Sequence, residues 1–316
     1  MKRLMLVVPV LFALAYAAVQ SAPAADVRIR PDAAKHQFAV EIGGKPFTTY
    51  CYGPEFADKP VFYPVLSPNG ARVNREFPMV PGVPGESKDH PHHQSAWFTY
   101  DEVNGIHFWN PDTSGRHIEQ RDAKADGDKL TASLAWKDKD GNVVLDETKQ
   151  VTFGGDATLF WMDHDITLKA AIPVVFGDTK EGAFGIRLND TLKETAGGSG
   201  RYINADGLET GANVWGKTSA WVAIRGAVKD KDGDKEVTVA IFAHPKSFNS
   251  PPYWHARDYG LFAANPFGRK AYDPSQPERV TKLAAGETVH LLYRMAVYSS
   301  KVAKARLDQD YAAFAR

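Results

Sequence analysis

Three of the chain's ten histidines fall within four residues, in the string Asp89-His90-Pro91-His92-His93. Imidazole is the commonest protein metal ligand and the usual general base near neutral pH, so the cluster indicates acid–base chemistry or metal binding. In an extended segment residues i and i+2 share a face, which would direct His90 and His92 to one side and His93 to the other. The alternative is a histidine-rich surface loop that binds nothing.

Arginines and aromatic residues flank this cluster. Arg72 and Arg75 precede it, and Trp97 and the string Asn104-Gly105-Ile106-His107-Phe108-Trp109 follow it. Aromatic rings stack on the C–H bonds of sugars, while Arg, Asn and His bind hydroxyls, so the region predicts a sugar site. The alternative is that the aromatic residues belong to the core, which is their more common fate.

A carboxylate and a guanidinium share one face of a later predicted strand. They are Glu181 and Arg187, within Glu181-Gly182-Ala183-Phe184-Gly185-Ile186-Arg187. Glu181 is a candidate general base whose position Arg187 would fix. A purely structural ion pair is the alternative.

A third candidate segment is Trp254-His255-Ala256-Arg257-Asp258. In an extended conformation His255 and Arg257 lie on one face, and Trp254 and Asp258 lie on the other. Burying so many polar groups costs free energy unless each finds a partner, which favours a binding site over a core strand. We therefore expect His255, Arg257 and Asp258 to line one concave site with the histidine cluster, beside Trp97 or Trp254 as a stacking surface.

The elements that must position these groups are mostly strands. Alternating or β-rich runs occur at 38–42, 130–136, 143–153, 159–168, 221–226, 237–242 and 288–298, separated by Gly- and Asp-rich turns. This density of short strands predicts an all-β fold, a large antiparallel β-sandwich. Near-helical spacing of Val302, Leu307, Tyr311 and Phe314 predicts a short C-terminal helix.

Composition excludes some functions and indicates export. Lys2 and Arg3, the apolar run 4–19 and the small residues 22–24 predict a signal peptide over 1–25, followed by a single domain over 26–316. The protein is then periplasmic or secreted, with no membrane span in the mature chain. A formal net charge of zero favours neither nucleic acid nor an anionic membrane as a partner. The lone Cys51 is most simply a small buried hydrophobe.

The quoted motifs resemble the PmoA-like family of exported bacterial proteins. The strings that carry the resemblance are His90–His93, Asn104–Trp109, Glu181–Arg187 and Trp254–Phe262. The family often carries the label methane oxygenase, which implies a copper-dependent oxidoreductase. A membrane methane monooxygenase subunit needs several apolar spans, and this chain has only its leader run.

A looser similarity is to the galactose mutarotase-like supersandwich, which also has an early Asn/Arg segment, histidines beside aromatic residues and a late carboxylate. The resemblance implies that fold, with histidine as acid and glutamate as base on a sugar ring. Here the histidine motif and the position of the acid depart from the mutarotase pattern, so the activity does not transfer directly.

The favoured hypothesis is an exported carbohydrate-active enzyme that uses acid–base chemistry on a sugar or glycoside. His92 or His93 would be the acid or base and Glu181 or Asp258 its counterpart. The substrate would be held by a set of aromatic and basic residues: Arg72, Arg75, Trp97, Arg187, Trp254, His255 and Arg257. A divalent metal on His90 and His92, with His164, Glu181 or His255 as further ligands, is a variant. A non-catalytic periplasmic glycan-binding protein is the rival hypothesis.

Overall fold

The computed structural model describes residues 25–53, 58–110 and 117–316. The predicted leader therefore lies outside the described residues, apart from Ala25. Twenty strands, β1 to β20 in chain order, form three sheets in which every named pairing is antiparallel. No helix in these ranges is both long and apolar enough to cross a membrane. The predicted all-β antiparallel sandwich is confirmed.

The first sheet has eight strands and carries the candidate site. In spatial order they are β1 (Val27–Asp32), β2 (Gln37–Ile42), β3 (Lys45–Cys51), β4 (Val61–Val65), β5 (Ala96–Tyr100), β13 (Gly182–Arg187), β18 (Leu261–Asn265) and β17 (Tyr253–Arg257). At one end of this sheet, strands that are distant in sequence are therefore neighbours: β13 pairs with β5 on one side and with β18 on the other.

The second sheet also has eight strands. Their spatial order is β14 (Arg201–Asn204), β15 (Trp221–Val228), β16 (Lys235–Ala243), β20 (Thr288–Tyr298), β11 (Leu159–Ala170), β10 (Val143–Gly155), β9 (Lys129–Lys137) and β8 (His117–Asp126). A small third sheet contains β19 (Thr281–Leu283), β12 (Val174–Phe176), β6 (Glu102–Val103) and β7 (Ile106–His107).

The two large sheets pack face to face through aromatic side chains. Phe98 of β5 lies 6.1 Å from Trp136 of β9, and Phe184 of β13 stacks on Tyr293 of β20 with ring centroids 5.2 Å apart. Because side chains alternate along a strand, each of these strands places its other residues on the opposite face. Burial of this shared interior is the main favourable term in forming the sandwich.

The helices in the described ranges are short. They are α1 (Gly211–Val214), α2 (Lys304–Phe314) and the 3-10 turns Ala33–Lys35 and Asp190–Leu192. Leu307 of α2 packs into a buried cluster with Trp221 and Phe242 on the outer face of the second sheet. The predicted C-terminal helix is confirmed, and it begins at Lys304, two residues after Val302.

A buried ion pair and a buried histidine lie within the largely apolar interior. Lys149 Nζ contacts Glu147 Oε1 at 2.9 Å, and Trp136 Nε1 donates to Glu147 Oε2 at 2.8 Å. Both charged residues come from inward positions of β10 and are almost fully buried. His164 of β11 packs nearby between Phe62 and Phe184, and neither of its ring nitrogens has a hydrogen-bond partner among the described residues. Burial and the charge of Lys149 lower the pKa of His164 well below its ordinary value.

Candidate functional site

A cavity of about 680 Å³ lies on the outer face of the first sheet, away from the second sheet. Alternation explains its position: Phe98, Phe184 and Trp254 point into the sandwich, so Arg187 and His255 point outwards. The lining is dominated by titratable and aromatic residues: His90, His92, His93, Asp101, His107, Trp109, Asn110, Lys180, Glu181, His255, Arg257 and Tyr259. The structure therefore brings the histidine cluster together with Glu181, His255 and Arg257.

The histidine cluster forms a turn, so the predicted extended conformation is wrong. His93 N donates to the His90 carbonyl at 3.0 Å, with Pro91 at the second position of the turn, where its fixed φ fits well. His90 has a φ of 46°, in the left-handed region. The turn stacks the His90 and His93 rings at 4.8 Å and sets the His92 ring 4.4 Å from His93. All three rings therefore face one cavity, instead of being divided between two faces.

Asp89 fixes this turn to the sheet. Its Oδ1 accepts from Arg75 Nη1 at 2.5 Å and from Arg187 Nη2 at 2.7 Å, and its Oδ2 lies 2.7 Å from His90 Nδ1. Burial would raise the pKa of Asp89, but Arg187, His90 and Arg75 together lower it below its usual range. Both arginines are fully buried and absent from the cavity wall. The prediction that Arg75 and Arg187 hold substrate is corrected: they hold the histidine turn.

Replacing Asp89 by asparagine is expected to disorganise the site. Two buried guanidinium groups would lose their shared counter-charge, and each would then be costly to keep in place. We expect loss of ligand binding by about 100-fold and a Tm lower by several degrees. Calorimetric titration and a thermal melt measure both effects. Asp232→Asn, which alters an exposed carboxylate in the turn between β15 and β16, is the matched control, and equal behaviour of the two variants would contradict the anchoring role.

Two carboxyl–imidazole pairs lie in the cavity wall. Asp101 Oδ1 is 3.2 Å from His107 Nδ1, and Glu181 Oε2 is 3.7 Å from His255 Nδ1. Lys180 also pairs with Glu181. Burial raises the pKa of Asp101, whereas burial lowers the pKa of His255 to about 4. The first carboxyl is therefore easier to protonate than a free aspartate, and the buried imidazole is neutral at neutral pH.

His92 and His93 are also neutral at neutral pH. Burial, followed by the charge of Lys59, lowers the pKa of His92 to about 4. Burial, His92 and Arg187 lower the pKa of His93 much further. His93 stacks on Trp97 at 5.5 Å and its Nδ1 lies 3.4 Å from Arg187 Nη1. His92 is half-buried, so it is the more accessible proton acceptor of the two.

Aromatic residues and one cation complete the wall. Tyr259 stacks on His90 with centroids 5.2 Å apart, and the Arg257 guanidinium lies 5.7 Å from the Tyr259 ring centroid. Arg257 lines the cavity, where its guanidinium can donate to oxygen atoms of a ligand.

Besides Arg75 and Arg187, four more predicted site residues lie outside this cavity. Trp254 is in the core, where its Nε1 donates to the Ser219 carbonyl at 2.9 Å. Trp97 is 1% exposed, covered by His93 and Trp109. Arg72 pairs with Glu76, and Asp258 is exposed beside a neighbouring cavity. Neither a stacking role for the two tryptophans nor a substrate or catalytic role for Arg72 and Asp258 in this cavity agrees with these positions.

Within the described residues, no three His, Cys, Asp or Glu side chains are grouped so that they could hold an ion. Asp89 Oδ2 lies 2.7 Å from His90 Nδ1, and carboxylates often orient metal-bound histidines in this way. His164, by contrast, is enclosed in the sandwich core between Phe62 and Phe184. A divalent metal on His90 and His92 stays a prediction.

His107 and Trp109 belong to the string from which the sequence predicted a sugar site, but no individual role was predicted for them. The other wall residues that were not predicted are Asp101, Asn110, Lys180 and Tyr259. Strand alternation could have predicted one of them. Asp101 directly follows β5 and lies an even number of residues from Trp97, so both side chains point to the outer face of the sheet. Asp101 and His107 meet at the junction of the first and third sheets, which only the tertiary fold creates.

Comparisons with known proteins give a family and distant structural similarities. The model of a family described as "Family of unknown function (DUF6807)" matches residues 37–312. No curated protein matches the chain. A galactose mutarotase-like protein from Clostridium acetobutylicum is similar in structure, with 9% identity and a TM-score of 0.38, covering 87% of this chain and 99% of that one.

The GH36 α-galactosidase AgaB from Geobacillus stearothermophilus is similar with 12% identity and a TM-score of 0.43. That similarity covers 87% of this chain but only 41% of AgaB. A galactose mutarotase related enzyme from Lactobacillus acidophilus is similar with 12% identity and a TM-score of 0.30, covering 87% of this chain and 98% of that one. The resemblance of the motifs to the PmoA-like family stays a prediction.

Proposed function

This chain belongs to the DUF6807 family of unknown function, and we propose that it is a carbohydrate-active enzyme that works on a sugar or glycoside by acid–base chemistry. The proposal includes export, with residues 1–25 as a removable leader and 26–316 as a single domain. It also includes the PmoA-like relationship suggested by the motifs, without the methane chemistry of that label.

One observation carries the proposal. The pairs Asp101–His107 and Glu181–His255 and the neutral imidazole of His92 all line the same cavity. Enzymes that transfer protons need titratable groups of different proton affinity placed around one reacting centre. A cavity wall with two carboxyl groups and five imidazoles supports proton transfer more than simple binding.

The roles follow from the contacts. Glu181 is proposed as the base. Lys180 pairs with it, and the Nδ1 atom of the buried His255 lies 3.7 Å from its Oε2. His92, neutral because burial depresses its pKa, is proposed as the second group that exchanges a proton with a ring or glycosidic oxygen. Arg257 would donate hydrogen bonds to hydroxyl or carboxyl oxygens, and Tyr259 offers a ring to the C–H face of a sugar. These groups suit a polyhydroxylated ligand.

The rival hypothesis of a non-catalytic glycan-binding protein predicts a flat aromatic platform. Here the tryptophans expected to form such a platform, Trp97 and Trp254, are buried. A recessed cavity lined by acids and imidazoles favours an enzyme. Binding of sugars without any turnover would nevertheless reverse this preference.

The test is a Glu181→Gln variant, which keeps the shape of the side chain and removes its basicity. We expect turnover to fall by about 10²- to 10⁴-fold, the usual contribution of one acid–base group, with a nearly unchanged Tm. Turnover is followed by nuclear magnetic resonance on a panel of free sugars and oligosaccharides, which reports anomeric exchange, epimerisation and cleavage together.

The control for this variant is Asp232→Asn, since Asp232 is exposed in the turn between β15 and β16 and lines neither cavity. The control is expected to keep wild-type turnover. The proposal fails if the wild-type protein neither turns over nor binds any member of the panel. The role of Glu181 fails if Glu181→Gln turns over sugars at the wild-type rate.

A further inference from the structure

A second cavity, of about 350 Å³, adjoins the first. It is lined by Gly211, Ala212, Trp215, Ala256, Arg257 and Asp258. Arg257 also lines the larger cavity, so the two cavities share one residue of β17.

The sheet edge explains why the second cavity forms here. β17 is the last strand of the first sheet, and the chain after α1 pairs with only its first half. Trp254 N donates to the Lys217 carbonyl at 3.1 Å, and Gly216 N donates to the Trp254 carbonyl at 3.0 Å. These bonds hold α1 and Trp215 beside the strand that carries His255 and Arg257, so the wall of the site extends past the edge of the sheet.

Trp215 has the properties of a sugar-stacking residue. It is half-buried, packed against Tyr272 with centroids 5.2 Å apart and edge-to-face with His255 at 6.4 Å. Its Nε1 is buried and has no hydrogen-bond partner within the described ranges. A fixed indole, beside an arginine that donates and an exposed aspartate that accepts, matches the chemistry of a sugar ring, which has an apolar face and a rim of hydroxyls.

We propose that this second cavity is a subsite for a further sugar unit, and that the ligand is an oligosaccharide or polysaccharide instead of a free monosaccharide. The inference rests on the proposed function. One sugar ring would occupy the larger cavity beside Glu181 and His92. The next ring would stack on Trp215, and Arg257 would donate to oxygen atoms near the linkage between them.

The experiment is calorimetric titration of the full chain with matched probes. The probes are glucose, galactose, mannose and xylose, each beside its α- and β-1,4-linked disaccharides. We expect a monosaccharide to bind and at least one of its disaccharides to bind about tenfold more tightly, the gain typical of one added stacked ring.

Two variants test the second cavity separately. Trp215→Ala removes the indole, and Ala212→Glu places a longer, charged side chain in the cavity from an exposed position, where folding tolerates it. In both variants we expect the affinity for the disaccharide to fall to within about twofold of the affinity for the monosaccharide. The affinity for the monosaccharide should stay at its wild-type value. The control is Trp161→Phe, because Trp161 lies in the second sheet against Arg294, 4.4 Å from its guanidinium.

The outcomes separate the two proposals. Binding of a monosaccharide with no gain for any disaccharide overturns the subsite and leaves the proposed function standing. A disaccharide gain that survives in both Trp215→Ala and Ala212→Glu also overturns it. Absence of binding by every probe overturns the proposed function, and the subsite with it.

Discussion

Lowering the pH from 7 to 5 is expected to destabilise the protein by up to about 2 kcal/mol for each of its deeply buried histidines. Three qualify: His93, His164 and His255, whose pKa values burial lowers from the ordinary 6.5. In the unfolded chain these imidazoles take up protons below pH 6.5, but in the folded protein they do not. Their summed effect approaches the lower end of the roughly 5–15 kcal/mol that stabilises a typical domain.

The direction follows from proton uptake. Because the folded pKa values are depressed, the stabilisation is complete above pH 6.5 and is lost progressively down to about pH 4, the folded pKa of His255. The lowered pKa of Asp89 acts in the same direction at more acidic pH. Burial raises the pKa values of Asp101 and Asp163, and these two carboxyl groups oppose the trend.

Urea unfolding at a series of pH values measures this effect. Between pH 6.5 and pH 4, His164→Leu should reduce the slope of the unfolding free energy against pH by ~1.4 kcal/mol per pH unit. This is the slope that corresponds to one proton taken up on unfolding. His290→Gln is the control, because His290 is exposed and paired with Asp165 at 2.7 Å. A wild-type profile that is flat over this range would refute the expectation, as would equal slopes for the two variants.

Removing the buried carboxylate of Glu147 is expected to cost about 3–5 kcal/mol of stability. Glu147→Ala would leave the Lys149 ammonium without a counter-charge and the Trp136 indole N–H without an acceptor, both inside the sandwich. Denaturant unfolding should show a lower midpoint with an unchanged m-value.

A double variant and a surface control separate charge burial from loss of packing. Glu147→Leu combined with Lys149→Met replaces the pair by apolar groups and should recover most of the lost stability. Glu119→Ala, which breaks a more exposed pair with Lys137 on the neighbouring strands, should change stability by less than about 1 kcal/mol. The interpretation would be wrong if Glu147→Ala behaved like Glu119→Ala.

Local patterns predicted the strands well, because period-two alternation follows directly from the backbone. The predicted strands 221–226 and 237–242 are present and pair with each other, with Trp221 opposite Phe242, and the predicted strand 288–298 matches β20. The alternation also correctly placed His255 and Arg257 on the opposite face of the strand from Trp254. Alternation does not reveal which face packs against the other sheet. Trp254 was therefore expected in the site, but it lies in the core.

The conformation of the histidine cluster depends on contacts that are distant in sequence. Pro91 favours an extended residue before it, yet His90 adopts a left-handed turn because Arg75 donates to its carbonyl and Arg187 holds the adjacent Asp89. Arg187 is 98 residues from Asp89 along the chain. Such a long-range contact leaves no local pattern in either segment.

The alternation of the first sheet separates what the protein recognises from what keeps it folded. The outward positions of β17 that line the cavity, His255 and Arg257, can change without altering the volume of the interior, whereas Phe184, Trp254 and Phe262 cannot. Family members with different ligands should therefore diverge at these two positions. An engineer could exploit the same rule by randomising only the outward set, keeping each library member foldable while sampling new specificities.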